Sequence, residues 1–118
     1  MARTARLLVA VLALVGLAGC AAAGSDSASP VATAAVELPP SYRFEPAAIA
    51  VPAGTTVTWS NHDNFSHSVR FLDESLPGEP MLMQPGSSAT FTFNDPGTYA
   101  YDCHLHPRDM TGSVTVTP

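Results

Sequence analysis

An all-β sandwich is the fold class that this 118-residue sequence predicts, and three observations predict it. Apolar alternations of period two recur from Thr55 to Val116, as half-buried strands require. Pro- and Gly-containing turn sequences separate them at short intervals. From Leu38 onward no stretch sustains a helical period. The expectation is a single domain of short antiparallel strands, since a chain of 118 residues has room for only one.

The first nineteen residues are expected to stand outside that domain. Arg3 and Arg6 form a positive n-region, Leu7 to Leu17 is an apolar h-region, and Leu17-Ala18-Gly19-Cys20 follows. The apolar run is short for a bilayer span, so 1–19 reads as a secretory signal peptide rather than a membrane helix. The tetrapeptide resembles a bacterial lipoprotein signal, which implies lipid on Cys20 and a mature chain that begins there. The alternative is an ordinary signal peptide cut nearby, with Cys20 incidental. Residues 20–37 are small, Ser/Ala-rich and short of large apolar anchors. Such a composition predicts a flexible tether that lifts a module off a membrane.

Residues 38–118 are the predicted domain. Thr55 to Ser60 alternates with Val57 and Trp59 on one face, and His67-Ser68-Val69-Arg70-Phe71 puts His67, Val69 and Phe71 on one face with the polar pair opposite. Phe91 and Phe93 share a side, as do Tyr99, Tyr101 and Cys103, and as do Val114 and Val116. The breaks are Val51-Pro52-Ala53-Gly54, Gln84-Pro85-Gly86 and Asn94-Asp95-Pro96-Gly97, where Pro pre-sets φ and Gly accepts positive φ. About eighty residues without a disulfide sit near the lower size at which a core suffices, and a bound metal would add stability.

Charge and cysteine usage narrow the function. With Arg3 and Arg6 set aside, three Arg and no Lys face ten Asp and Glu, a balance of −7. That argues against nucleic acid and against docking on anionic headgroups, and permits steering towards a basic partner. The two cysteines are Cys20 and Cys103. If Cys20 carries lipid, Cys103 is a lone thiol in an oxidising compartment, which calls for a reason such as metal binding. The alternative is a Cys20–Cys103 bridge across the tether.

Around Cys103 the reason takes shape. The run Cys103-His104-Leu105-His106-Pro107-Arg108-Asp109-Met110 follows a strand and brings thiolate, imidazole and thioether together. His67 begins another strand after the loop Asn61 to Ser66, so it can reach the same pole. Two His, one Cys and a weak axial Met are the donor set of a blue-copper electron-transfer site, and Met is a poor zinc ligand. His104 competes with His106 but, adjacent to Cys103 on a strand, should point to the other face. His62 reads as an exposed loop residue, and Met81 and Met83 as core fillers. Asn61, Ser66, Ser68 and Asp102 are candidate hydrogen-bonding partners of the ligands. Phe65, Leu82, Leu105 and Pro107 are either an apolar collar around His106 or ordinary core.

The segments Val57-Thr58-Trp59-Ser60-Asn61 leading to His67-Ser68-Val69, then Asp95 to Pro107, then Met110 and Gly112-Ser113-Val114-Thr115-Val116, resemble the cupredoxins of the plastocyanin, pseudoazurin and amicyanin kind. The resemblance covers the chain from about Tyr42 to Thr117. It implies a Greek-key β-sandwich, one copper ion held by His67, Cys103, His106 and Met110, and one-electron transfer between redox partner proteins rather than enzyme catalysis. Three residues separate His106 from Met110, where the best-known members of the family have two or four. Many relatives also carry Asn where this chain has Ser68. The leading expectation is thus an exported, monomeric copper electron carrier, lipid-anchored on the outer face of the cell membrane, or on the periplasmic side if there are two membranes. The alternatives are an extracytoplasmic protein that holds Cu(I) for delivery or detoxification, and a metal-free β-sandwich adaptor.

Overall fold

The computed structural model describes residues 29–118, and within them the chain is all strand and turn. Nine strands are formed: β1 (Val31–Ala32), β2 (Ala35–Leu38), β3 (Ala48–Pro52), β4 (Thr55–Asn61), β5 (His67–Phe71), β6 (Met81–Met83), β7 (Ser88–Phe93), β8 (Gly97–Asp102) and β9 (Thr111–Thr117). They make a six-stranded sheet ordered β1-β3-β9-β8-β5-β6 and a three-stranded sheet ordered β2-β4-β7. The expected signal peptide over 1–19 and Cys20 lie outside the described residues, as does the first half of the expected tether.

Two expectations are corrected here. A flexible tether over 20–37 is the expectation, yet β1 and all of β2 but its last residue, Leu38, fall inside it, and Val36 is fully buried. Two Val five residues apart among Ala, Thr and Glu make too weak a pattern to signal a strand. The burial of Val36 comes from pairing alongside β4, opposite Trp59. The strands are also not all antiparallel: β1 with β3, β2 with β4, and β3 with β9 run parallel. The three turn sequences look like hairpin connections, but each carries the chain from one sheet to the other (β3 to β4, β6 to β7, β7 to β8). Neighbours within a sheet are then often distant in sequence, and their direction is not set by a local turn.

Each turn keeps its local chemistry despite this. Gly54 and Gly86 have φ of 89° and 82°, a region open to glycine at no steric cost. The Gly54 N–H donates to the Phe93 carbonyl, and the Gly86 N–H to that of Asn61 at 2.9 Å. Between the sheets the two-residue period delivers a core of Leu38, Ile49, Val57, Trp59, Val69, Phe93, Tyr101 and Val114. Trp59 and Tyr101 meet edge to face with centroids 5.5 Å apart, and Phe44 meets Tyr101 in the same way at 4.8 Å. Such contacts add about 0.5–1.5 kcal/mol each beyond area burial. Burial pushes the Tyr101 phenol up to about 12.

Gly112 shows how tightly this core is drawn. It pairs directly opposite Tyr101 across β8 and β9. A Cβ added there would stand 2.4 Å from Tyr101 Cζ and 2.5 Å from its hydroxyl oxygen. Tyr101 is fully buried, with Trp59 and Phe44 packed edge to face against its ring. Gly112→Ala is therefore expected to cost about 1–3 kcal/mol by overpacking. Urea denaturation checks this, and an unchanged midpoint would show that the ring can move aside.

Candidate metal centre

One pole of the sandwich gathers the end of β4, the start of β5, the end of β8 and the start of β9. Cys103 follows β8 directly and is fully buried. The segment from Cys103 to Met110 closes on itself. The Cys103 N–H donates to the Met110 carbonyl at 3.1 Å, the His106 N–H to the Cys103 carbonyl at 3.0 Å, and the Met110 N–H to the His106 carbonyl at 3.0 Å. Backbone bonds therefore set the spacing of the three loop donors. Met110 is fully buried at the point where the loop rejoins β9.

His67 comes from across the β5–β8 pair. It is fully buried, and its Nδ1 lies 4.0 Å from Cys103 Sγ. Metal bonds to imidazole nitrogen and thiolate sulfur run about 2.0 and 2.3 Å, so two such donors can share one ion only within roughly 4.3 Å of each other. This pair meets that limit. The other ring nitrogen, Nε2, donates to Asp63 Oδ2 at 2.8 Å, leaving Nδ1 free on the Cys103 side.

The loop between β4 and β5 is built to present Asp63. The Asn61 Nδ2 amide donates to the Phe65 carbonyl at 2.8 Å and to the Met83 carbonyl at 3.0 Å. Asn61 Oδ1 accepts the Asp63 N–H, and Asp63 Oδ1 accepts the Asn64 N–H. Asp63 is buried. The hydrogen bond from His67 holds its carboxyl below the ordinary carboxylate range, against the opposing effect of burial and with help from the Asn64 amide. Locked in this way, the carboxylate fixes the orientation of the His67 ring.

His106 is half-buried, its ring 5.4 Å from that of His67. Tyr42 meets the His106 ring edge-on at 4.7 Å and stacks on Phe65 at 5.9 Å. The strap that carries Tyr42 is pinned by paired backbone bonds between Glu37 and Glu45, both 2.8 Å. Ser41 and Tyr42 have φ of 115° and 54°, a costly turn for side-chain-bearing residues that aims the Tyr42 ring at the site. Phe65, Leu82 and Leu105 are about half exposed or more. The ordinary-core alternative for them is overturned, and Phe65 joins the His106 side through its stack on Tyr42.

The remaining candidates sort clearly. Ser68 is buried rather than on a polar outer face. Its N–H donates to Cys103 Sγ at 3.3 Å, and its Oγ accepts the His104 N–H at 3.0 Å. His104 turns to Ser68, with Nδ1 2.6 Å from Oγ. Asp102 is not a partner of the ligands. It is drawn off by Arg70, its neighbour across β5 and β8, through two bonds of 2.8 and 2.7 Å. That carboxylate raises the Arg70 guanidinium above its ordinary value. Ser66 is exposed, His62 is exposed and paired with Glu37, and Met83 is fully buried in the core. Asp63 and Tyr42 were missed from sequence. An acid four residues before a His was a usable signal for Asp63, whereas nothing local marked Tyr42.

The donors are gathered but not closed on a point. Among the described residues no three His, Cys, Asp or Glu side chains already form a set that holds a metal. Two imidazoles, a thiol and a thioether at a backbone-locked pole, three of them fully buried, nonetheless suit copper in donor type, and the His67–Cys103 spacing suits a shared ion.

Comparison with known proteins agrees with the fold. The family described as "Cupredoxin-like domain" matches residues 7–116. Plastocyanin of Scenedesmus fuscus is 36% identical over 83 residues, covering 62% of this chain and 85% of that protein. Chloroplastic plastocyanin of Tetradesmus obliquus is 35% identical over 83 residues and is longer, so that the matched region is 62% of this chain and 57% of that one. Amicyanin-alpha of Methylorubrum extorquens is 35% identical over 79 residues, 63% of this chain and 64% of that one. Among solved structures, a purple cupredoxin from Nitrosopumilus maritimus superposes with a TM-score of 0.64 at 27% identity, over 72% of this chain and 100% of that one. A copper-containing nitrite reductase from Thermus scotoductus superposes at 0.61 and 29% identity, over 82% of this chain but 25% of the reductase.

Proposed function

Because this chain belongs to the cupredoxin-like family, we propose that it is a mononuclear copper protein that carries single electrons between extracytoplasmic redox partner proteins. The observation that carries the reading is the fully buried pair of His67 Nδ1 and Cys103 Sγ, 4.0 Å apart on separately anchored elements. Copper, when bound, supplies one-electron chemistry through its Cu(I) and Cu(II) states. His67, Cys103, His106 and Met110 would hold it. The protein's part is rigidity. His67 is oriented by Asp63, Cys103 by the Ser68 N–H, and the loop by its own backbone bonds. Donors that do not move with oxidation state keep the reorganisation of electron exchange small. The half-buried His106, edge-on to Tyr42, is the donor nearest solvent and a partner's approach.

Around the domain the same reading places a signal peptide in 1–19, lipid on Cys20 and a tether shortened by β1 and β2, so that the carrier works at a membrane surface as a monomer. Several features weigh against enzyme catalysis and against copper delivery. The nitrite reductase is matched over a quarter of its length. Cys103, His67, Met110 and Met83 are all fully buried, so these sulfur and nitrogen donors are not on offer to a receiving protein.

Copper titration followed by voltammetry tests the proposal. Cu(II) added to the purified protein is expected to give an intense blue thiolate-to-copper band at one ion per chain, and the loaded protein a reversible one-electron wave. A colourless complex stable only as Cu(I) would replace the carrier reading with the delivery one.

A further inference from the structure

The Ser68 hydroxyl sits among three groups. Its oxygen accepts the His104 backbone N–H at 3.0 Å, lies 2.6 Å from His104 Nδ1, and lies 3.8 Å from Cys103 Sγ. A serine hydroxyl has one hydrogen to give, and two atoms able to accept it face this one: Cys103 Sγ, and His104 Nδ1 in the tautomer that carries its hydrogen on Nε2. Ser68 is fully buried, so no bulk water competes for it.

We infer that His104 is a positioning residue for the copper centre: its Nδ1 takes the single Ser68 hydroxyl hydrogen and so withholds that hydrogen from Cys103 Sγ. The distances decide between the acceptors. A separation of 2.6 Å is a short, strong O–H···N contact, whereas 3.8 Å to sulfur is at the weak end of hydrogen bonding. With the hydroxyl committed to His104, the side chain of Ser68 gives the sulfur nothing, and its backbone N–H at 3.3 Å is the contact that remains.

The consequence is electronic and rests on the copper reading above. A hydrogen bond to the thiolate draws electron density from sulfur and weakens its donation to Cu(II), which favours the reduced state. By holding the hydroxyl away, His104 keeps the reduction potential lower than the same ligands would otherwise set. His104 does this without touching the metal.

Two measurements on the full chain test the assignment. In copper-free protein, the ¹⁵N resonances of the His104 ring are expected to show a bare, hydrogen-bonded Nδ1 and a protonated Nε2; a protonated Nδ1 overturns the inference whether or not copper binds. In loaded protein, His104→Phe is expected to raise the reduction potential and shift the thiolate-to-copper band. His104→Gln, which offers an acceptor again, should restore both, and His104→Phe with Ser68→Ala should lose the rise. A blue His104→Phe protein at the parent potential would overturn the inference. Failure of every variant and the parent to turn blue would sink the copper reading instead, leaving the ring resonances to judge the hydrogen bond.

Discussion

Cys103→Ser is expected to abolish the thiolate-to-copper absorption altogether and to weaken copper binding by more than the about 10–100-fold that follows loss of a supporting contact. The band requires a sulfur anion bound to the metal. A serine hydroxyl stays protonated at neutral pH and is a harder donor than copper prefers. The remaining donors, His67, His106 and Met110, lack the charge that a thiolate contributes to holding a divalent ion. The fold should survive. Cys103 makes its backbone bond to Met110 through N–H, which serine retains. The Ser68 N–H, which donates to the sulfur at 3.3 Å, stays beside the new hydroxyl oxygen as a donor, so that oxygen need not go unpaired. Visible spectra, copper stoichiometry and thermal unfolding of the metal-free variant separate the two effects. A variant that remained blue would remove Cys103 from the site, and one that failed to fold would show that the thiol is structural.

The fold was legible wherever a strand carries its own two-residue alternation. β4, β5, β7 and β8 were anticipated within two residues, because Val57 and Trp59, Val69 and Phe71, or Tyr99 and Tyr101 need a core on one side. β1, β2 and the parallel pairings were not legible. The short apolar content of 31–38 becomes a strand only when β4 lies beside it, and direction in a sheet is a property of the long connections. At the site, all four proposed ligands stood out by residue type, since thiol, imidazole and thioether are chemically distinctive. Their supports stood out only in part: Ser68 was a candidate and its N–H does donate to Cys103 Sγ, whereas Asp63 and Tyr42 were not singled out. Asp102 looked well placed, but Arg70, opposite it in register, takes both carboxylate oxygens. Ser68, though a candidate partner, read as facing outward; it is buried, its N–H donating to Cys103 Sγ and its hydroxyl oxygen accepting the His104 N–H just beyond the end of β8.

Asp63→Ala is expected to lower copper affinity by about 10–100-fold while Cys103, His106 and Met110 stay in place. His67 is fully buried, so its Nε2 hydrogen has no water to turn to once the carboxylate is gone. The ring is then free to rotate or to carry its hydrogen on Nδ1, and either change spoils the donor that faces Cys103. Asp63→Asn separates orientation from charge. Its side-chain oxygen can still accept from Nε2, so affinity should fall less than with alanine. The pH dependence has a definite sign. The Asp63 carboxyl lies below its ordinary 3.8 because His67 donates to the charged form. Its stabilising contribution is therefore fully present above that ordinary value and fades as pH falls through the lowered one. In unfolding of the metal-free protein, the advantage of the parent over Asp63→Ala should hold across neutral and mildly acid pH and shrink only below that range. Equal affinity and equal acid stability in parent and variant would mean that the sandwich itself, and not this carboxylate, holds the His67 ring in place.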